Sequence, residues 1–134
     1  NFEKLNYNNL ELNAIEASQQ CERLDVPKIE KIINFKSLLD GFPSDRALVF
    51  CDESDSSLPS IYEEVKSQVS NYSKWAVIIG PEGGFSEQEK KQLMNEENVL
   101  RVTLGKRILR SDTAAISSLF CIQSLVDKRH PVLK

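Results

Sequence analysis

The sequence predicts an α/β domain built on a parallel sheet with helices on both faces. Two continuous apolar runs of strand length, residues 47–51 (ALVFC) and 75–79 (WAVII), are rich in β-branched or aromatic residues. Strands apolar at every position belong in a sheet covered on both faces. Between the runs, Ile61, Val65 and Val69 recur at the four-residue spacing of a helix, and strand, helix, strand is the parallel crossover unit. A third strand candidate, residues 99–104 (VLRVTL), stands between two further helical segments, so the order βαβαβα extends one sheet.

Each element has its own signals. Residues 8–20 carry Leu10, Ala14, Ile15 and Ala17 on an approximate helical stripe. The segment from Cys21 to Pro27 interrupts it, because the residue before a proline is pushed out of the helical region. Residues 28–33 (KIEKII) read as a short edge strand. Asn34 reads as the N-cap of a short helix through Leu39, stopped by the turn signal Asp40-Gly41. Pro59 suits a first-turn position in the helix that holds Ile61, Val65 and Val69. Ser86 and Glu89 have capping-box spacing for a helix from Glu87 to about Asn95. Asp112 is expected to cap a last helix over residues 113–127, with Ile116, Leu119, Phe120 and Leu125 inward and Pro131 ending it.

With 134 residues, 40% apolar and 28% charged, the usage is that of an ordinary globular chain with enough core for one domain. Charged or polar residues interrupt every apolar run well short of the roughly 18 residues that span a bilayer. The opening residues Asn1-Phe2-Glu3-Lys4 lack a secretory pattern. Three cysteines without CxxC spacing, with Cys51 and Cys121 inside apolar stretches, argue buried thiols rather than zinc or disulfides. These features predict a soluble cytoplasmic protein with no membrane segment and no metal.

The net charge of −3 is unevenly spread. Residues 101–134 hold seven Lys or Arg against two acids, whereas the preceding hundred hold ten against eighteen. Any polyanionic partner would therefore meet the C-terminal third, although an acidic chain is not the electrostatic footprint of a self-sufficient nucleic-acid binder. His130, beside Pro131, reads as a solvated side chain.

In an open parallel sheet, ligands bind at the carboxyl ends of the strands. The turn Gly80-Pro81-Glu82-Gly83-Gly84 holds three of the five glycines, a density that lets backbone approach a ligand closely beside a helix N-terminus. As a bare connection it would need no ligand at all. It has neither the GxGxxG spacing of a dinucleotide fold nor the GK[ST] ending of a P-loop. The next loop, Leu104-Gly105-Lys106-Arg107-Ile108-Leu109-Arg110, sets three cations beside a helix start where the dipole favours anions, which points to anion binding.

The string IGPEGGFSEQE, the later LGKRILRSDTAA and the segment EASQQCERLDVP at residues 16–27 together resemble the RsmE-type 16S ribosomal RNA (uracil-N3-)methyltransferase family of the SPOUT superfamily. The resemblance implies a C-terminal trefoil knot in the parallel sheet, a bound S-adenosyl-L-methionine and a homodimer acting on 16S rRNA of the small ribosomal subunit. It assigns cofactor contacts to Gly80, Pro81, Glu82, Gly83, Gly84, Leu104, Gly105, Ile108, Leu109, Thr113 and Ala114. Arg110 would favour the developing uracil anion or grip a phosphate, with a surface ion pair to Asp112 as the competing role. Arg23 would reach a partner subunit's site, with structural pairing at the helix end as its alternative. Glu82 and Asp112 are the nearby carboxylates, and neither stands out as a general base.

The chain departs from the family pattern at Gln19, where Glu is common, at Glu22, where Gly is common, and at Asp112-Thr113-Ala114, where Glu-Thr-Ala is common. The family's N-terminal RNA-binding barrel has no counterpart in residues 1–134, so the methyltransferase domain is expected to be incomplete at its N-terminus and to bind RNA poorly alone. Two other functions fit the same motifs: an inactive knotted dimerisation or RNA-binding module, and a SPOUT enzyme acting on tRNA.

Overall fold

A computed structural model describes residues 5–127. Lys128, Arg129, His130, Pro131 and Lys134, which entered the charge count and the reading of the last helix end, lie outside the described residues. The chain divides into two compact units, Asn1–Asn34 and Phe35–Lys134.

The first unit is one helix and an irregular tail. Helix α1 spans Tyr7–Gln20, with the Asn6 side chain accepting from the Asn9 amide at its start. Its buried residue is Ser18, while Ile15 and Ala17 are exposed, contrary to the apolar stripe. The helix ends in a Schellman pair: the Arg23 N–H donates to Ser18 O at 2.9 Å and the Glu22 N–H to Gln19 O at 3.1 Å. This closure sets Glu22 at φ +55, the left-handed conformation that glycine adopts without cost. The glycine common to the family at this position therefore has a backbone reason. Residues 28–33 form no strand; their backbone finds no ladder, and the Ile32 N–H donates instead to the Tyr7 hydroxyl at 3.0 Å.

The second unit is a three-stranded parallel sheet flanked by helices. In order come α2 (Phe35–Asp40), β1 (Arg46–Cys51), α3 (Ile61–Gln68), β2 (Lys74–Ile79), α4 (Glu87–Met94), β3 (Val99–Val102) and α5 (Ser111–Val126). The strand order is β2-β1-β3, with Val49 opposite both Val77 and Leu100. Only β1 has neighbours on both sides, and its residues 47–50 are buried; of the two edge strands, β3 buries Val99, Leu100 and Val102, whereas the apolar side chains of β2 are half-buried. The interior position expected of both runs holds for β1 alone.

Alternation along β1 divides the core. Val49 packs with Ile61, Val65, Val102, Ile122 and Leu125 on the face covered by α3 and α5. Leu48 and Phe50 pack with Leu39, Leu93 and Val99 on the other face. Two capping boxes start the crossover helices. Ser86 and Glu89 close one as the spacing predicts, and Ser60 with Glu63 close the other. Pro59 therefore precedes the N-cap of α3 rather than entering its first turn, and its carbonyl accepts from the Thr103 N–H at 3.0 Å. That bond, with Ile61 N–H donating to Thr103 O at 3.1 Å, ties the start of α3 to the end of β3.

Helix α5 corrects two expectations. Its N-cap is Arg110, without a side-chain cap bond, while Asp112 lies inside the first turn and accepts from the Thr113 N–H at 2.9 Å. Its inward residues are Ala114, Ser118, Ile122 and Leu125. Ile116, Leu119 and Phe120 are 71%, 50% and 72% exposed, so only Leu125 of the expected set points inward. The N-terminal half of α5 buries small side chains at four-residue spacing, and its bulkier apolar residues occupy the opposite face.

Candidate functional site

Three loops at the carboxyl ends of the strands enclose a cleft of about 400 Å³ within the second unit. The first, after β1, contributes Cys51, Asp52, Glu53 and Ser54; the second, after β2, contributes Ile79 through Phe85; the third, after β3, contributes Thr103, Leu104, Gly105 and residues 107–111. Lys90 of α4 and Ala114 of α5 complete the lining.

The second loop owes its shape to its glycines. The Gly84 N–H donates to Pro81 O at 2.8 Å, closing a tight turn in which Gly84 has φ +70. A Cβ on Gly80 would stand 2.9 Å from the Phe85 ring, and that ring packs edge-on against Phe50 with centroids 4.8 Å apart. Gly80 thus lets a core aromatic seat directly beneath the turn. A Cβ on Gly83 would meet nothing within 4 Å. The Ser111 hydroxyl donates to Gly80 O at 3.1 Å, joining this loop to the first turn of α5. In the third loop Gly105 has φ +117, and its N–H donates to the Thr103 hydroxyl at 3.2 Å.

The wall nearest β1 is charged. Asp52 is 3% exposed. Its Oδ1 accepts from the Ser54 N–H and hydroxyl at 3.0 and 2.6 Å, and its Oδ2 from Arg101 Nε and Nη2 at 2.9 and 2.6 Å. Burial alone would push this carboxyl up, but the Ser54 bonds, then Arg101 and the nearby Lys90 charge, together hold it below the usual carboxylate range. Lys90 donates to the Ser54 hydroxyl at 2.8 Å and to Glu87 at 3.2 Å. At Cys51, burial pushes the thiol up to about 12 against a hydrogen bond with Ser118, so it stays protonated at neutral pH. Cys51 and Cys121 are half-buried free thiols, and Cys21 is exposed. Among the described residues no cluster of His, Cys, Asp or Glu is arranged to hold a metal ion.

Of the residues singled out from sequence, Gly80, Pro81, Glu82, Gly83, Gly84, Leu104, Gly105, Ile108, Leu109, Arg110 and Ala114 all line this cleft. Thr113 does not: it is exposed while Ala114 is buried, because successive helical residues point about 100° apart. Arg110 is exposed, and its Nε lies 3.7 Å from Asp112, a loose surface contact that leaves the guanidinium available. Arg23 belongs to the first unit, where it pairs with Asp25 through Nε and Nη2 at 3.0 to 3.2 Å. Arg107, one of the three cations of the basic loop, lines the cleft as well, and so do Asp52, Glu53, Ser54 and Lys90, none of which was assigned a role. The sequence does carry one signal for Asp52. Arg101 interrupts the apolar run 99–104, and a charge within a buried strand needs a partner.

A family model described as an RNA methyltransferase domain matches residues 1–123. The chain belongs to this RNA methyltransferase family. Among its relatives, the ribosomal RNA small subunit methyltransferase E of Rickettsia conorii is 35% identical over 124 residues, covering 92% of this chain and 49% of that protein. The protein of the same name from Bacillus subtilis is 32% identical over 111 residues, covering 81% of this chain and 43% of that one. A crystal structure of ribosomal RNA small subunit methyltransferase E from Neisseria gonorrhoeae, bound to S-adenosyl methionine, matches with a TM-score of 0.68 at 30% identity. That match covers 88% of this chain and 47% of the other. The chain thus spans about half the length of these relatives. They carry the name of the family that the two glycine-bearing loops resemble. No helix among the described residues is long and apolar enough to cross a membrane.

The chemistry of the cleft suits a nucleoside-bearing methyl donor. Its volume lies in the usual range for small-molecule sites. Its lining combines the glycine turns, where backbone can approach a ligand closely, with the apolar side chains of Ile79, Leu104, Ile108 and Leu109.

Proposed function

We propose that this chain is the catalytic domain of an S-adenosylmethionine-dependent methyltransferase that modifies N3 of a uridine in 16S rRNA of the small ribosomal subunit. The observation that carries the reading is the convergence of the glycine turn 80–84 and the loop 104–110 on one cleft at the strand ends. Gly80, Pro81, Glu82, Gly83, Gly84, Leu104, Gly105, Ile108, Leu109 and Ala114 would hold S-adenosylmethionine. When bound, it supplies a methyl group carried on a sulfonium.

The remaining tasks fall to the chain's own groups. Methylation at N3 requires the uracil N3–H proton to leave, so negative charge develops on the base. Arg110, exposed at the cleft, is the group assigned to favour that charge or to grip a phosphate of the target nucleotide. Arg107 adds a second guanidinium on the same wall and suits the polyanionic backbone. Arg23 is assigned to a partner subunit's site.

A homodimer fits the apolar face of α5, where Ile116, Leu119 and Phe120 stand exposed at i, i+3 and i+4 spacing. A trefoil knot is what the family resemblance implies for these loops, and the Ser111 hydroxyl bonded to Gly80 O holds the start of α5 against the loop that follows β2. Work on small-subunit rRNA is work in the cytoplasm, the compartment that three free cysteines fit.

Mass spectrometry of 16S rRNA tests the function. In cells lacking the corresponding enzyme, the gene that encodes this chain should restore a methyl group on one uridine. A uridine that stays unmethylated while the protein is present and folded defeats the assignment.

A further inference from the structure

Three acids lie in the loop after β1, and their fates differ. Asp52 is consumed by Ser54 and Arg101. Asp55 is consumed by Ser57, whose hydroxyl and N–H donate at 2.5 and 2.9 Å. Glu53 has no hydrogen-bond or ion-pair partner among the described residues. It is exposed, it lines the cleft, and its Oε1 lies 4.0 Å from where a Cβ on Gly84 would stand. The two cations bound to this side of the site are committed elsewhere: Arg101 to Asp52, and Lys90 to Ser54 and Glu87.

The cleft is therefore electrically two-sided. The first and second loops present Glu53 and Glu82, and the third presents Arg107 and Arg110. An RNA phosphate is drawn to the third loop and repelled by the first two. A cationic group of a small ligand is drawn the other way.

We propose that Glu53 is a specificity-determining residue that accepts a hydrogen bond from the α-ammonium of the methyl donor's amino-acid portion, over the Gly84 turn. This rests on the cofactor reading above. An ammonium offers directed N–H donors, which a carboxylate matches, and a sulfonium offers none. Gly84, with no Cβ, leaves room for that contact. Glu53 thereby distinguishes a donor with an amino-acid tail from a bare adenosine thioether.

Titration calorimetry on the 134-residue chain tests this with two nucleosides, S-adenosylhomocysteine, which carries the amino-acid portion, and 5′-methylthioadenosine, which lacks it. E53Q should weaken S-adenosylhomocysteine by about 10- to 100-fold, the value of a charge-assisted hydrogen bond, and change 5′-methylthioadenosine by less than about twofold. E53D, with the charge on a shorter arm, should bind S-adenosylhomocysteine between wild type and E53Q. Equal losses for both nucleosides, no loss for either, or E53D behaving like E53Q overturns the proposal and leaves the cofactor site standing. Wild-type protein that binds neither nucleoside removes the cofactor reading and this one with it. Circular dichroism melts of the variants confirm that the losses occur in folded protein.

Discussion

Replacing Asp52 with Asn isolates what the buried pair at the base of the cleft contributes. The Asp52 carboxylate is 3% exposed and accepts four hydrogen bonds, two from Ser54 and two from Arg101. An Asn side chain keeps an oxygen for Ser54 but turns an NH2 group toward the guanidinium, so both Arg101 bonds go and a cation is left without its counter-ion. Breaking a buried pair in this way costs about 3 to 5 kcal/mol. The Arg101 side chain retains 28% exposure, so water recovers part of its charge and the lower end, about 3 kcal/mol, is expected. Urea unfolding of both proteins at pH 7 measures it.

Acid provides the sign. The folded-state Asp52 carboxyl sits below its ordinary value, with burial opposing and the Ser54 and Arg101 bonds prevailing. Its contribution is thus complete above the unfolded carboxyl value of about 3.9 and disappears as pH falls through the lower folded value. The gap between wild type and D52N should be flat from pH 7 to about 5 and close as the pH drops below about 4. A gap under about 1 kcal/mol at pH 7, or one that persists unchanged at low pH, refutes the view that charge pairing holds this wall.

Three further outcomes are expected. E22G should raise the stability of the first unit by about 1 kcal/mol, because glycine removes the left-handed penalty at φ +55; hydrogen exchange at the Glu22 and Arg23 amides should slow accordingly. R110A should lower methyl transfer to rRNA by about 100-fold or more while S-adenosylmethionine affinity by calorimetry stays within about twofold, since the exposed guanidinium serves the substrate side. F120E should convert a dimer to a monomer in sedimentation velocity without lowering the melting temperature of the monomer, because Phe120 is 72% exposed and contributes no core packing.

Much of the site was legible in the chain because its parts are local. The glycine turn, the basic loop and the capping box at Ser86 are each written in a few consecutive residues, and the rule that ligands gather at strand ends joins them. The faces of α5 were not legible. Hydrophobicity selected Ile116, Leu119 and Phe120, yet the helix buries Ala114 and Ser118. Close approach to the sheet favours small residues there, and the side of a helix that meets a sheet is a matter of docking, not of composition. The strand expected at residues 28–33 failed for a related reason: a hexapeptide with three isoleucines becomes a strand only where a neighbouring edge offers hydrogen bonds.

Apolar periodicity, capping pairs and short motifs act over a few residues, so the succession of strands and crossover helices along the chain, the glycine-lined turns and the family are written in the residues themselves. Only the folded chain shows that β1 is central and β2 an edge, that Arg101 reaches back 49 positions to Asp52, and that Glu53 faces the cleft without a partner among the described residues. Those outcomes depend on which distant groups meet. Coulombic and hydrogen-bond partners separated by more than a third of the chain are chosen by packing, and no local pattern of residues encodes that choice.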